Sequence, residues 1–187
     1  YSHMRPEFQT LYAPYFGSHR LNLGCANNHE VGWINLDMNP DVKPDVLHNL
    51  EDTPLPFPDE SFDTVLASHT FEHIHNFMPL VEDIHRILKP GGYLVGVTPY
   101  GSSDNAWDNP HHVRCFTETT WQYFDQELYK GDHAGNGATQ GYKGNLKLIQ
   151  AILVPCPEFV GDPDLEFKKR HYRNIIQEIH AVLRKET

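Results

Sequence analysis

Residues 20–37 read Arg-Leu-Asn-Leu-Gly-Cys-Ala-Asn-Asn-His-Glu-Val-Gly-Trp-Ile-Asn-Leu-Asp, two short apolar segments joined by a glycine turn. This order is typical of a nucleotide site in an α/β protein. Gly24 lets the backbone leave the first strand sharply and approach a ligand closely. Asp37 ends the second segment, where a carboxylate can accept hydrogen bonds from both hydroxyls of a ribose. The stretch therefore predicts a nucleotide-type cofactor at the carboxyl ends of two strands.

The connection between these two strands is unusually short. The second strand begins near Trp33, whereas a parallel crossover that carries a helix needs about 10–12 residues. We therefore expect about one turn of chain between the strands in place of a full helix.

The size and charge of the chain narrow the possible functions. Its 187 residues fit one domain spanning 1–187, and its net charge of −10 argues against extended nucleic acid as a partner. No apolar run reaches the roughly 20 residues of a membrane span. Residues 1–4 resemble a cloning remnant, and no signal peptide is visible. Three cysteines without a Cys-x-x-Cys pair predict reduced thiols in a cytoplasmic protein. No pattern indicates an oligomeric state.

Strand and helix patterns alternate along the rest of the chain. Candidate strands are residues 45–50, 61–68, 93–98 and 146–154, and residues 131–144 predict a mobile loop. Apolar positions at helical spacing predict a helix over 80–88, and Thr117 can cap another. Asp162-Pro163 is a good helix start, and the apolar positions of residues 172–183 give the terminal helix predicted there one apolar face. The alternation indicates an α/β, Rossmann-like fold with a mostly parallel central sheet, flanking helices and a shortened first crossover.

Five segments occur in an order that is specific when taken together. They are Leu-Asn-Leu-Gly-Cys (21–25), Asn-Leu-Asp (35–37), Leu-Pro-Phe-Pro-Asp-Glu-Ser-Phe-Asp (55–63), Ser-His-Thr-Phe-Glu-His-Ile (68–74) and Arg-Ile-Leu-Lys-Pro-Gly-Gly (86–92). Through them the chain resembles the class I S-adenosylmethionine (SAM)-dependent methyltransferases of the compact methyltransferase-11-like kind. The resemblance implies transfer of a methyl group from S-adenosyl-L-methionine to an oxygen or nitrogen of a small or modest-sized acceptor.

The resemblance also implies which residues bind the cofactor. They are Leu23, Gly24, Cys25, Asn28, Asp37, Met38, Asn49, Leu50, Ser68 and His69. Two features depart from the family pattern. The turn reads Gly-Cys-Ala-Asn-Asn where the family has Gly-x-Gly-x-Gly, and the carboxyl terminus shows one strand and a helix where the family has an antiparallel strand pair.

His69, His112 and Arg114 are the candidate catalytic residues. Either histidine could take a proton from a hydroxyl or amine as the methyl group moves. Arg114 could bind a carboxylate or phosphate of the substrate through two parallel contacts, or it could fasten its own loop.

Other readings of the same residues stay open. His69-Thr-Phe-Glu-His73 matches the inverted zinc-protease signature, but that site needs a long helix. Glu72, His73 and His112 could imitate the divalent-metal site of some RNA-end methyltransferases. For Glu72 and His73 we prefer a structural role in local packing, and we assign no metal. Because the turn lacks the second and third glycines of the family pattern, a non-catalytic module with a SAM-binding fold also stays open.

Overall fold

The computed structural model describes residues 10–129 and 142–186. Seven strands form one sheet in the order β3-β2-β1-β4-β5-β7-β6. They are β1 (Arg20–Leu23), β2 (Ile34–Asp37), β3 (Val46–Leu47), β4 (Phe62–Ser68), β5 (Leu88–Pro99), β6 (Leu146–Pro155) and β7 (Ile176–Lys185). The neighbouring strands among β1–β5 pair in parallel, and β7 is antiparallel to both β5 and β6. The prediction of an α/β, Rossmann-like sheet is confirmed.

Short helices connect and cover these strands. They are α1 (Phe77–Ile87), α2 (Glu118–Gln122), α3 (Gln126–Tyr129) and α4 (Leu165–His171). Single 3₁₀ turns occupy Ala13–Tyr15, Pro40–Val42, Phe71–His73, Asp104–Ala106 and Pro157–Phe159. In the described ranges, none of these helices combines the length and apolar character that crossing a membrane requires. Most of the loop predicted over 131–144 lies outside the described residues.

The first crossover is short, as the sequence predicts. Leu21 lies opposite Ile34 in a parallel register, and residues 24–33 contain turns without a helix. In a helix, the backbone groups of this connection would bond to one another. Here two buried asparagine side chains bond some of these backbone groups instead. The Nδ2 of Asn22 donates to the carbonyl oxygen of Asn28 at 3.0 Å, and the Oδ1 of Asn35 accepts from the backbone N–H of Glu30 at 2.9 Å. These side chains fasten the connection to the strands beneath it.

The terminal helix predicted from Asp162-Pro163 through residues 172–183 is wrong beyond His171. A short helix, α4, is present at Leu165–His171, but Ile176–Lys185 form β7, which lies between β5 and β6. A strand with neighbours on both edges and covered faces does not alternate between apolar and polar residues, so its apolar positions can also fit a helical period. The antiparallel pair expected of the family is therefore present as β6 and β7.

Apolar residues cover both faces of the sheet. On one face, α1 packs against an aromatic cluster that includes Phe71, Phe116 and Trp121. On the other face, the segment before β1 contributes Tyr12, which packs with Trp33 and is fully buried. Because both faces are covered, the exposed polar edge at the carboxyl ends of the strands is the natural place for a ligand.

Candidate active site

A cavity of about 410 Å³ opens at the carboxyl ends of β1 and β4. Its walls come from the turn after β1, the turn after β4, the loop after β5 and the start of β7. The lining residues are Gly24, Ala26, Asn27, Asn28, Ser68, His69, Glu72, His73, Pro99, Asn105, Asp108, Asn109, His112, Gln177 and Glu178. Most of these residues carry an amide, carboxylate or imidazole group, so the cavity offers several hydrogen-bond partners to a ligand.

The turn after β1 brings backbone into the cavity wall. Gly24 has a φ of +62°, and a Cβ there would lie 2.6 Å from the Oγ1 of Thr70, so the position requires glycine. Ala26, which stands where the family pattern has its second glycine, adopts a φ of +43°. The left-handed conformation that glycine favours is therefore kept at Ala26 despite the different residue.

Asp37 lies beside this turn and supports it. Its Oδ2 accepts a hydrogen bond from the backbone N–H of Ala26 at 2.8 Å, and its Oδ1 accepts from Asn39 at 2.8 Å. Each carboxylate oxygen can accept more than one hydrogen bond. Asp37 is thus oriented by the backbone and can still accept hydrogen bonds from a ligand's hydroxyl groups.

The structure divides the predicted cofactor residues into three groups. Gly24, Asn28, Ser68 and His69 line the cavity, and Leu23, Cys25 and Leu50 are buried outside its lining. Asp37 is the last residue of β2, Met38 follows it, and Asn49 follows β3, and all three lie outside the lining of the cavity. The Met38 side chain is largely exposed there, so it offers an apolar surface next to Asp37.

The turn after β4 places a carboxylate in an unusual environment. His69 leaves the strand with a φ of +52°, a conformation that is rare for residues other than glycine. The chain then forms the 3₁₀ turn Phe71–His73. Glu72 in that turn is 1 % exposed, and within residues 10–129 and 142–186 neither of its carboxylate oxygens has a hydrogen-bond partner. Its nearest ionic contact is the Nδ1 of His69, at 3.4 Å from Oε1.

His69 lies between two carboxylates. Its Nε2 is 3.6 Å from the Oε1 of Glu178, on the side opposite Glu72. Burial by itself lowers the pKa of His69, but the contacts with Glu178 and Glu72 outweigh burial and raise this pKa to about 9. An imidazole that is protonated at neutral pH lacks the lone pair that a general base needs. The base role of His69 stays a prediction, and this environment does not favour it.

The loop after β5 contributes His112 from the opposite wall. The ring centroids of His112 and His73 are 4.7 Å apart. The Nδ1 of His112 lies 3.2 Å from the carbonyl oxygen of Ala106. Because a carbonyl can only accept, Nδ1 carries the proton in this contact, and in the neutral ring the lone pair is then on Nε2. Burial lowers the pKa of His73, whereas the charge of Glu72 raises it and His112 lowers it.

Arg114 lies outside the cavity lining and fastens this loop. Its Nε and Nη2 donate to the carbonyl oxygen of Ile74 at 3.1 and 2.8 Å, and Nη2 also donates to His75 at 3.1 Å. The guanidinium carbon is 4.6 Å from the centre of the Phe77 ring. Of the two roles open to Arg114 from the sequence, these contacts correspond to fastening the loop.

Several cavity residues were missed by reasoning from the sequence. Gln177 and Glu178 lie at the start of β7, where Glu178 is opposite Pro99 at the end of β5. Because β7 is antiparallel to β5, its first residues reach the same edge as the carboxyl ends of the parallel strands. Because a helix was predicted for this segment, Gln177 and Glu178 were not expected at the cavity. Asn105, Asp108 and Asn109 come from the polar loop after β5, whose composition signals exposure without indicating which residues face the site.

Matches to known proteins lie in the part of the chain that contains the turns after β1 and β4. Residues 24–96 match the family model described as a methyltransferase domain. The chain is 40 % identical over 58 residues to the demethylmenaquinone methyltransferase of Listeria welshimeri, covering 28 % of this chain and 25 % of that protein. It is 31 % identical over 78 residues to the methyltransferase YcgJ of Bacillus subtilis, covering 36 % and 31 % of the two chains. The matches thus span about a quarter to a third of these curated relatives.

Solved structures agree over nearly the whole chain. The YcgJ crystal structure superposes with a TM-score of 0.59 at 17 % identity, covering 97 % of each chain. An S-adenosylmethionine-dependent methyltransferase from Mesorhizobium loti gives 0.60 at 14 % identity, covering 96 % of each chain. The fold is that of the class I SAM-dependent methyltransferases, and residues 24–96 match a methyltransferase domain. At these identities the superpositions show the fold alone.

The cofactor of this methyltransferase family is S-adenosyl-L-methionine, and the residues present fit it. The cavity volume of about 410 Å³ lies within the roughly 300–1,000 Å³ of small-molecule sites. Gly24 lies in the cavity wall, and the oriented Asp37 carboxylate can accept from a ribose. The amino-acid end of the cofactor would lie against Gly24 and Ser68, and the nucleoside end against Asp37 and Met38.

Proposed function

We propose that this chain transfers the methyl group of S-adenosyl-L-methionine to an oxygen or nitrogen of a small polar acceptor. The observation that carries the proposal is the cavity beside Gly24 and Ser68, where the cofactor end and a second ligand can meet. When bound, the cofactor supplies a methyl group already activated on a sulfonium. The protein then has to align the two reactants, exclude water and provide for the proton of the acceptor.

The lining supports the choice of a polar acceptor. Asn105, Asp108 and Asn109 enter from the loop after β5, and Gln177 and Glu178 enter from β7. These side chains offer amide donors and carboxylate acceptors, which match hydroxyl or amino groups. A large apolar acceptor would leave such groups without partners on binding, and that costs free energy. A hydroxylated or amine-bearing small molecule therefore suits the cavity best.

We further propose roles for the three candidate catalytic residues. His69 and His112 face the cavity from the turn after β4 and from the loop after β5, so both can contact the acceptor. Arg114 holds that loop against the turn through its bonds to Ile74 and His75. Arg114 is thus a positioning residue, and the two histidines are the groups that touch the substrate.

Calorimetric titration with S-adenosylhomocysteine, the product of the transfer, tests the proposal. We expect micromolar binding by the unaltered chain. Asp37→Asn should weaken it by about 10- to 100-fold, because a hydrogen bond to a charged group contributes about 1.5–3 kcal/mol. Asp41→Asn is the matched control, since Asp41 is exposed in the adjacent turn. Absence of binding at millimolar concentration in folded protein would contradict the proposal.

Turnover then identifies the acceptor class. Formation of S-adenosylhomocysteine would be followed with panels of hydroxylated small molecules, amines, fatty acids and RNA ends. Product with the hydroxylated or amine panel supports the polar acceptor. Product only with fatty acids or with RNA ends would overturn the acceptor class while leaving methyl transfer in place.

A further inference from the structure

We propose that Glu72, His73 and His112 bind a divalent first-row transition-metal ion at the wall of the cavity. One ligand atom from each of these residues lies within 4.8 Å of the other two. Atoms bound to one ion at about 2.0–2.2 Å lie about 3–4 Å apart, so small side-chain rotations complete the set. Two imidazoles and one carboxylate suit Zn²⁺, Mn²⁺ or Fe²⁺ better than Mg²⁺ or Ca²⁺, which prefer oxygen ligands.

The unsatisfied carboxylate of Glu72 is the second observation that points to an ion. A buried carboxylate is costly unless it is paired or bound to a metal. Glu72 is 1 % exposed, and both of its oxygens lack hydrogen-bond partners among the described residues. The His69 contact at 3.4 Å reaches only Oε1. A cation on the cavity side would neutralise the carboxylate and give its oxygens ligand bonds.

His112 is arranged as metal-ligating histidines usually are. In metal sites the second ring nitrogen commonly donates to a carbonyl or carboxylate, which fixes the ring and directs the other nitrogen to the ion. His112 does this through Nδ1 and the carbonyl oxygen of Ala106, leaving Nε2 available. Its ring lies beside that of His73, at a centroid distance of 4.7 Å and an angle of 71°.

Backbone contacts hold the three residues together although they come from two loops. The backbone N–H of Val113 donates to the carbonyl oxygen of Glu72 at 2.8 Å. Arg114 adds its hydrogen bonds to Ile74 and His75, just beyond His73. The turn after β4 and the loop after β5 are therefore joined on both sides of the cluster, as a preformed site requires.

The site also suggests a use for the ion. Three protein ligands leave positions open on a metal, and all three residues line the cavity in which we propose that the cofactor end and the acceptor meet. Oxygen atoms of a hydroxylated acceptor can occupy those positions. This deepens the proposed function, on which it rests, by naming an oxygen-bearing acceptor that chelates the ion.

Metal titration of the chelator-treated full chain tests the site. We expect calorimetry and elemental analysis to show one Zn²⁺ or Mn²⁺ per chain. His112→Gln should weaken binding by more than about 100-fold, since losing even a partner of a metal ligand typically costs about 10–100-fold. The control is His111→Gln, because His111 is the exposed neighbour outside the cavity lining. Equal affinity of the two variants, or no binding of either metal, would overturn the proposal.

Glu72→Gln separates a metal ligand from a structural residue. A ligand role predicts weak metal binding together with unchanged or increased stability of the metal-free protein, because a buried charge is removed. Lower stability with unchanged metal affinity would make Glu72 structural and overturn the proposal. S-adenosylhomocysteine titration of the same samples distinguishes the two proposals. If the cofactor product binds and the metal does not, only the metal site fails. If the metal binds and the product does not, the proposed methyl transfer fails.

Discussion

The backbone N–H of Val113 donates to the carbonyl oxygen of Glu72 at 2.8 Å, joining segments 41 residues apart. Together with the bonds from Arg114 to Ile74 and His75, this bond holds the loop after β5 against the turn after β4. It thereby brings His112 next to His73, and the polar side of the cavity is built from both. The fold creates the site at the one edge where parallel strands end and where their loops can contact one another.

Arg114 should position this loop without touching the ligand of the site. Arg114→Lys loses the geometry needed to bond both Ile74 and His75. We expect the free energy of unfolding to fall by about 1–2 kcal/mol. Zn²⁺ affinity should fall as well, while binding of S-adenosylhomocysteine is unchanged. Urea denaturation and calorimetry measure these effects. Arg170→Lys, at an exposed position, is the control. A loss of stability with unaltered Zn²⁺ affinity would refute the positioning role.

Gly24→Ala should be far more damaging than Gly91→Ala. Both glycines have positive φ, but a Cβ at Gly24 meets Thr70 at 2.6 Å, whereas nothing lies within 4 Å of one at Gly91. Gly91→Ala therefore measures backbone strain alone, about 1–2 kcal/mol. The clash at Gly24 should add about 1–3 kcal/mol. Chemical denaturation checks both values, and similar losses at the two positions would show that the approach to Thr70 does not matter.

The amino-terminal half of the fold could be predicted because its signals are local. The turn at Gly24, the carboxylate of Asp37 and the periodic helix before Lys89 each follow from neighbouring residues. The segment 172–183 could not be predicted in this way. Its residues Ile179, Val182 and Leu183 are buried, because β5 and β6 flank β7, and those partners are distant in sequence. A helical period and a strand covered on both faces share such a pattern.

The residues of the site also divide into those that the local sequence predicts and those that depend on distant parts of the chain. Gly24, Ser68 and His69 could be placed from their strands, and His112 from its position after β5. Glu178 could not be placed, because the antiparallel direction of β7 alone brings it to the cavity. The burial of Glu72 could not be predicted from the sequence either. A carboxylate near the start of a turn is usually solvated, and only the tertiary packing shows that this one is enclosed.

Cys25 should be the least reactive of the three cysteines. It is 2 % exposed, and burial together with the charges of Asp37 and Asp45 raises the pKa of its thiol to about 11. Cys115 and Cys156 are only half-buried. At pH 7.5 we expect iodoacetamide to label Cys25 at least about 10-fold more slowly, because the thiolate is the reactive form. Peptide mass spectrometry gives the rates, with denatured protein as the control. Faster labelling of Cys25 would show that the turn opens readily.

Asp63 should make stability fall in acid. Burial by itself raises the pKa of Asp63, but hydrogen bonds from Lys89 and His19 lower it from 3.8 to about 2. Because the folded-state pKa lies below the unfolded one, this contribution is complete above 3.8 and is lost as the pH falls towards 2. At pH 6.5, Asp63→Asn should therefore cost about 1 kcal/mol, and by pH 2.5 most of that difference should be gone. Urea denaturation at both pH values tests this, with Asp41→Asn as the control. A difference that is the same at pH 6.5 and pH 2.5 would mean that the charge of Asp63 does not contribute.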